Sequence, residues 1–180
     1  MKKGVWMVMS LVFAVAPLLI ALGAGHGLAP LQKWVARYNG PGNSYDYARA
    51  IAVDGSGNVY VTGMSEGSDT GSDYATIKYN TNGLQLWVQR YDGPTKGEDW
   101  ASEVAMDGSG NVYVTGSSYG DYATVKYGPN GKQLWVKRYD GSSKGDDGAA
   151  AIAVDKSGNV YVTGASYGSG TDSDYATVKY

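Results

Sequence analysis

A chain of 180 residues with 43% hydrophobic content has room for one ordered domain and is too apolar to be a disordered one. Its 16 Tyr against one Phe, with 27 Gly and 18% charged residues, make a strand-and-turn composition that argues against helix beyond the N-terminus. A formal net charge of −2 disfavours nucleic acid, and the lack of Cys together with a single His, His26, excludes disulfides, a Cys nucleophile, a Ser-His-Asp triad and an ordinary zinc site.

The N-terminus opens with Lys2 and Lys3, continues with an apolar stretch from Gly4 to Leu22 and ends in the small residues Gly23, Ala24 and Gly25. That is the three-part layout of a secretory signal, with cleavage expected between Gly23 and Ala29. The competing reading is an uncleaved membrane anchor, the only route by which this chain would touch a membrane; Ser10 and Pro17 interrupt the stretch and favour cleavage. The chain therefore divides into a signal peptide, 1–29, and a repeat domain, 30–180, expected in the periplasm, at the cell surface or secreted.

The first element of the repeat domain is a lone strand, Lys33 to Tyr38, whose core Trp34-Val35-Ala36-Arg37-Tyr38 returns as Trp87 to Tyr91 and Trp135 to Tyr139. Self-similarity at 53 and 48 residues marks three repeats, approximately 33–85, 86–133 and 134–180. Each breaks into short strands separated by turn residues; in the first these are Ala50 to Asp54, Asn58 to Gly63, Tyr74 to Tyr79 and Leu84 to Tyr91. The alternation of Val59 and Val61 with Tyr60 and Thr62 has the period of two that a pleated strand imposes. The count is one lone strand, two complete sets of four and a final three, twelve in all.

The turn after the first strand of each set carries Asp54, Gly57 and Asn58, then Asp107, Gly110 and Asn111, then Asp155, Gly158 and Asn159. The invariant Gly is expected in the left-handed conformation that closes a three-residue hairpin with a bulge, whereas Lys156 replaces Gly55 and Gly108 at a position of ordinary φ. Pro129-Asn130-Gly131 and Thr81-Asn82-Gly83 form a second set of tight turns at the same end.

These motifs resemble the bacterial and archaeal β-propeller repeat often called SBBP. The resemblance rests on Ala52 to Gly63 and Ala153 to Gly164, on Asp73 to Tyr79, Asp121 to Tyr127 and Asp174 to Tyr180, and on Leu86 to Gly93 and Leu134 to Gly141. It covers nearly everything after Gln32, with Met106 a tolerable departure from Val. It implies an all-β fold of four-stranded antiparallel meanders, three blade-equivalents in number, and exported or surface proteins without a common catalytic set. Three blades are too few to close a ring, so an incomplete propeller with additional blades, or a homo-oligomer in which each chain is half of a dimeric ring, is expected.

In such a meander the tight hairpins share one end and the longer, variable loops the other, where binding is expected. Acidic and aromatic residues gather in the loops at that end: Tyr45, Asp46 and Tyr47; Glu98, Asp99 and Trp100; Asp146 and Asp147. Carboxylates beside exposed rings suit a carbohydrate or protein ligand, by hydrogen bonding to hydroxyls and stacking or by attracting a basic surface. The plainer reading of Asp46, Asp99 and Asp147, which recur in every repeat, is that they close the turn into the first strand. Glu98 with Asp99, or Asp146 with Asp147, makes a poor acid/base pair because adjacent residues seldom face each other across a substrate.

Calcium is considered at Asp54, Ser56 and Asn58, whose alternate spacing opens like an EF-hand loop. Ser65, Ser118 and Ser166 stand where the twelfth-position Glu belongs, so turn formation is preferred and no metal or cofactor is expected. Lys78, Lys126 and Lys179 are expected to pair with neighbouring acids, and Trp87 and Trp135 to pack. The expectation is an exported, non-catalytic binding or structural module. Its rival is a fragment of a larger extracytoplasmic propeller hydrolase, lyase or quinoprotein whose catalytic residues lie in other blades.

Overall fold

The computed structural model describes residues 31–142 and 145–180; from Asp46 onward its apolar-alternating segments are β-strands, and there is no helix among the described residues. The leader, 1–29, lies outside the described residues. Strands β1 (Asp46–Val53), β2 (Val59–Glu66), β3 (Ser72–Tyr79) and β4 (Gln85–Tyr91) form one antiparallel meander. Strands β5 (Asp99–Met106), β6 (Val112–Ser118), β7 (Asp121–Tyr127) and β8 (Gln133–Tyr139) form the second. Strands β9 (Gly148–Val154), β10 (Val160–Tyr167) and β11 (Ser173–Lys179) form a three-stranded third, and the sheets do not close into a ring.

The expected twelfth strand is corrected: Lys33 to Tyr38 has no strand conformation. Among the described residues no strand lies ahead of it, and its backbone joins none of the three ladders. Its side chains nevertheless sit on the first sheet as those of β4 sit on the second. Trp34 Nε1 donates to Thr81 O at 3.1 Å, matching Trp87 Nε1 to Pro129 O at 3.2 Å, and Ala36 and Tyr38 pack on Ala75, Ile77 and Tyr79.

The first strands are longer than their apolar cores suggest. β1 begins at Asp46 rather than Ala50, because pairing continues from Asp46↔Ser65 through a bulge between Ala48 and Ala50. β5 repeats the bulge between Ala101 and Glu103. The bulge drives the backbone against β2 and β6: a Cβ on Gly63 would strike the Tyr47 carbonyl and one on Gly116 the Trp100 carbonyl, which is why both positions are Gly. The hairpins follow expectation, with Gly57, Gly110 and Gly158 at φ of 80°, 78° and 83°.

The second sheet is covered on both faces, and this shows in its burial: Val112 to Gly116 is buried without interruption, whereas β1 exposes Ile51 and Val53. Tyr60 and Tyr74 of the first sheet enter a core with Ala101, Val104, Val112, Val114 and Val125 of the second. Tyr113 and Tyr122 of the second sheet do the same with Ala149, Val160 and Val162 of the third. Within each sheet a hydroxyl pair, Thr62–Thr76, Thr115–Thr124 and Thr163–Thr177, each at 3.0 Å, ties the second strand to the third.

Candidate functional site

Strand register sets the two ends of each sheet. Val53 pairs with Val59 and Tyr79 with Gln85 at one end, where the tight hairpins lie; Asp46 pairs with Ser65 and Tyr74 with Tyr91 at the other. All eight predicted binding residues fall at this second end, on two kinds of position. Tyr45, Glu98, Asp146 and Asp147 lie just ahead of β1, β5 and β9, while Asp46, Tyr47, Asp99 and Trp100 are the opening residues of strands rather than loop residues.

Burial then separates the aromatics from the recurring acids. Tyr45, Tyr47 and Trp100 are exposed, and the first two rings stack at 6.0 Å with their planes 10° apart. Trp100 Nε1 donates to Glu98 Oε2 at 3.0 Å, so the indole and carboxylate are presented as one unit. Asp99 and Asp147 are only 1% exposed, and Asp146 is exposed beside them. Asp46, Asp99 and Asp147 accept the backbone N–H of Gly40, Gly93 and Gly141 at 3.0, 2.7 and 2.6 Å, each clasping the loop six residues back. Burial pushes the Asp99 carboxyl up; the nearby Ser118 hydroxyl and the Gly93 N–H oppose the shift, and the charges of Asp92 and Asp73 add to it.

Sequence reasoning missed two groups at this end. The first is a guanidinium clamp: Arg90 reaches Asp73 at 2.7 Å, the Ser65 carbonyl at 2.8 Å and the Tyr38 hydroxyl at 3.2 Å, and Arg138 repeats the pattern on Asp121, Ser118 and Tyr91. The signal was present in the repeated Arg-Tyr pair inside a strand. The second is Tyr119, exposed at a positive φ of 48° in the short turn between β6 and β7. Its backbone N–H donates to the Glu98 carbonyl at 3.1 Å, which brings a second aromatic to the Glu98–Trp100 unit.

At the hairpin end, Asp54 accepts from Ser56 N, Asn58 N, Asn58 Nδ2 and Tyr60 Oη at 2.8–3.1 Å, and Asp107 and Asp155 repeat this set. Both carboxylate oxygens are thus occupied by donors, and Asn58 in particular holds the Asp54 carboxyl below its usual value. The three lysines do not pair with acids as expected. Lys78, Lys126 and Lys179 stand over the rings of Tyr60, Tyr113 and Tyr161 at 5.0, 4.8 and 5.2 Å. Trp87 packs edge-on to Tyr60 at 5.9 Å and Trp135 to Tyr113 at 6.0 Å, the packing role expected of them.

The open flank of the first sheet carries an apolar cavity of about 360 Å³ under Trp34 and Tyr38, lined also by Ile51, Val61, Ile77 and Tyr79. The opposite flank, on the third sheet, exposes Tyr175 at 98%.

Antiparallel meanders packed face to face, with Tyr60 and Tyr74 of the first buried against the second and Tyr113 and Tyr122 of the second buried against the third, define a propeller-blade repeat protein. The chain belongs to the β-propeller repeat family SBBP, whose profile matches residues 33–69, 93–123 and 134–170, more than half of its length. A crystal structure of a protein of unknown function from Bacteroides caccae is similar to it at 16% sequence identity and a TM-score of 0.44. The match covers 64% of this chain and 38% of that one, so the present chain spans well under half of its neighbour. No curated protein matches the sequence.

Proposed function

We propose that this protein is an exported, non-catalytic propeller-repeat module that binds a protein or glycan through the variable end of its sheets. The observation that carries this reading is the exposure of Tyr45, Tyr47, Trp100 and Tyr119 at one end, beside repeat-shared charges that are already engaged in holding the sheets. Rings that lie open next to a carboxylate are suited to sugar faces and to peptide side chains, and they contribute binding area at small entropic cost. Export is supported by the leader-like residues 1–29, and a non-catalytic role by the lack of His and Cys in residues 30–180.

The test is a screen of the purified protein on glycan and protein arrays, with a second protein carrying Tyr45→Ala, Tyr47→Ala and Trp100→Ala alongside. A ligand captured by the first and lost from the second supports the reading. Turnover of any captured ligand, or capture that ignores all three substitutions, sinks it.

A further inference from the structure

At the junction between the first and second sheets, three carboxylates converge. Asp73 is the second residue of β3, Asp92 directly follows β4 and Asp99 opens β5; one carboxylate oxygen of each lies within 4.8 Å of the other two. Asp73 is 3% and Asp99 1% exposed, while Asp92 reaches solvent. Asp73 gives its Oδ2 to Arg90 and to the Thr70 hydroxyl, and Asp99 gives its Oδ2 to the Gly93 N–H. Among the described residues neither Asp73 Oδ1 nor Asp99 Oδ1 finds a hydrogen-bond partner, although both atoms are buried.

Two buried, unpartnered carboxylate oxygens in one cluster are costly, because each loses its hydration with nothing in return. Arg90 neutralises one of the three charges and Lys96 acts on Asp92 from the neighbouring loop, which leaves the pocket acidic. We propose that this junction binds a divalent cation of the calcium class through Asp73, Asp92 and Asp99. Calcium takes oxygen ligands at about 2.3–2.6 Å, so oxygens up to roughly 5 Å apart can share one ion, and its flexible coordination admits water on the exposed Asp92 side. The ion bridges the two sheets, since Asp73 lies on β3 and Asp92 directly after β4 of the first sheet, while Asp99 opens β5 of the second.

The next junction shows what distinguishes this one. Asp121, Asp140 and Asp147 converge there in the same way, but both oxygens of Asp147 already accept backbone N–H groups, from Gly141 and Tyr167, and Asp121 is only half-buried. In the first repeat the position of Asp92 is held by Asn39, so an amide at this position is compatible with the fold.

The test is isothermal titration of the chelator-treated full chain with calcium chloride, with magnesium chloride as comparison. One saturable calcium site is expected, weakened at least about tenfold in Asp92→Asn and in Asp99→Asn and unchanged in Asp140→Asn. Asp92→Asn, exposed and with a natural counterpart in Asn39, keeps the wild-type melting temperature and decides the matter should Asp99→Asn fail to fold. No calcium heat, equal binding in Asp92→Asn, or magnesium bound as tightly as calcium overturns the proposal.

Discussion

The Tyr74 hydroxyl donates to the Ala123 carbonyl at 3.2 Å, a bond from the interior of one sheet to the backbone of the next. Tyr122 repeats it on Ala176 at 3.4 Å, and Tyr175, at the same place in the third sheet, is 98% exposed with no sheet beyond it among the described residues. Ala123 O also accepts the Thr115 hydroxyl, so losing Tyr74 leaves that carbonyl partly satisfied. Tyr74→Phe should therefore cost about 1 kcal/mol in urea denaturation, and Tyr175→Phe nothing measurable. Equal effects at the two positions would show that the bond between sheets carries no stability.

The guanidinium clamps are unequal. Arg90 faces an Asp73 side chain only 5% exposed, whereas the Asp121 side chain facing Arg138 is 26% exposed. Arg90→Ala should destabilise by about 3 kcal/mol, because it strands a buried carboxylate, and Arg138→Ala by about 1 kcal/mol. Arg90→Lys restores little, since an ammonium cannot reach Asp73, Ser65 and Tyr38 from one planar fork. Thermal melting of the three variants ranks them, and a full rescue by Lys contradicts the assignment.

Glycine substitutions separate close approach from turn geometry. Gly116→Ala places a Cβ on the Trp100 carbonyl and should cost about 3 kcal/mol or prevent folding, because the obstruction is backbone. Gly57→Ala, at φ of 80°, costs about 1 kcal/mol. Gly55→Lys, with open space around it and Lys156 as its counterpart, should melt with the wild type.

Acid should loosen the hairpin end. The side chain of Asn58, with the Asn58 and Ser56 N–H groups and the Tyr60 hydroxyl, holds Asp54 below 3.8; at Asp107 burial pushes upward but the Asn111, Tyr113 and Ser109 donors prevail. A carboxyl depressed in the folded state contributes stability that is present above pH 3.8 and disappears as pH falls through its folded value. Stability measured between pH 5 and pH 2 should decline, and Asp54→Asn with Asp107→Asn should flatten the decline. An unchanged slope in the double variant would remove these turns from the acid response.

The sheets, their order and both sets of hairpins were legible because period-two apolar runs and repeated Gly leave few alternatives. Lys33 to Tyr38 was not, since its sequence is that of a strand and joining a ladder depends on a partner that no local pattern encodes. The polar outward starts of β1 and β5 hid four residues of each strand, which moved Tyr47 and Trp100 from loops onto sheet ends. The eight candidate residues do gather at one end, but Asp99 and Asp147 are buried, a fact set by neighbouring sheets that no local pattern encodes. Arg90 and Arg138 stand out in the sequence only as a repeated Arg-Tyr pair, and it is the fold, which places Ser65 and Ser118 beside them, that gives them a role.

The central claim is a division of labour: residues shared by the repeats hold the sheets together, and aromatic residues that differ between them bind. Melting temperature and array capture, measured on the same preparations of wild type, Arg90→Ala and the Tyr45→Ala, Tyr47→Ala, Trp100→Ala triple variant, test it most directly. The account predicts a lowered melting temperature with capture retained below it for Arg90→Ala, and an unchanged melting temperature with capture lost for the triple variant. A triple variant that melts early, or that still captures every wild-type ligand, contradicts it.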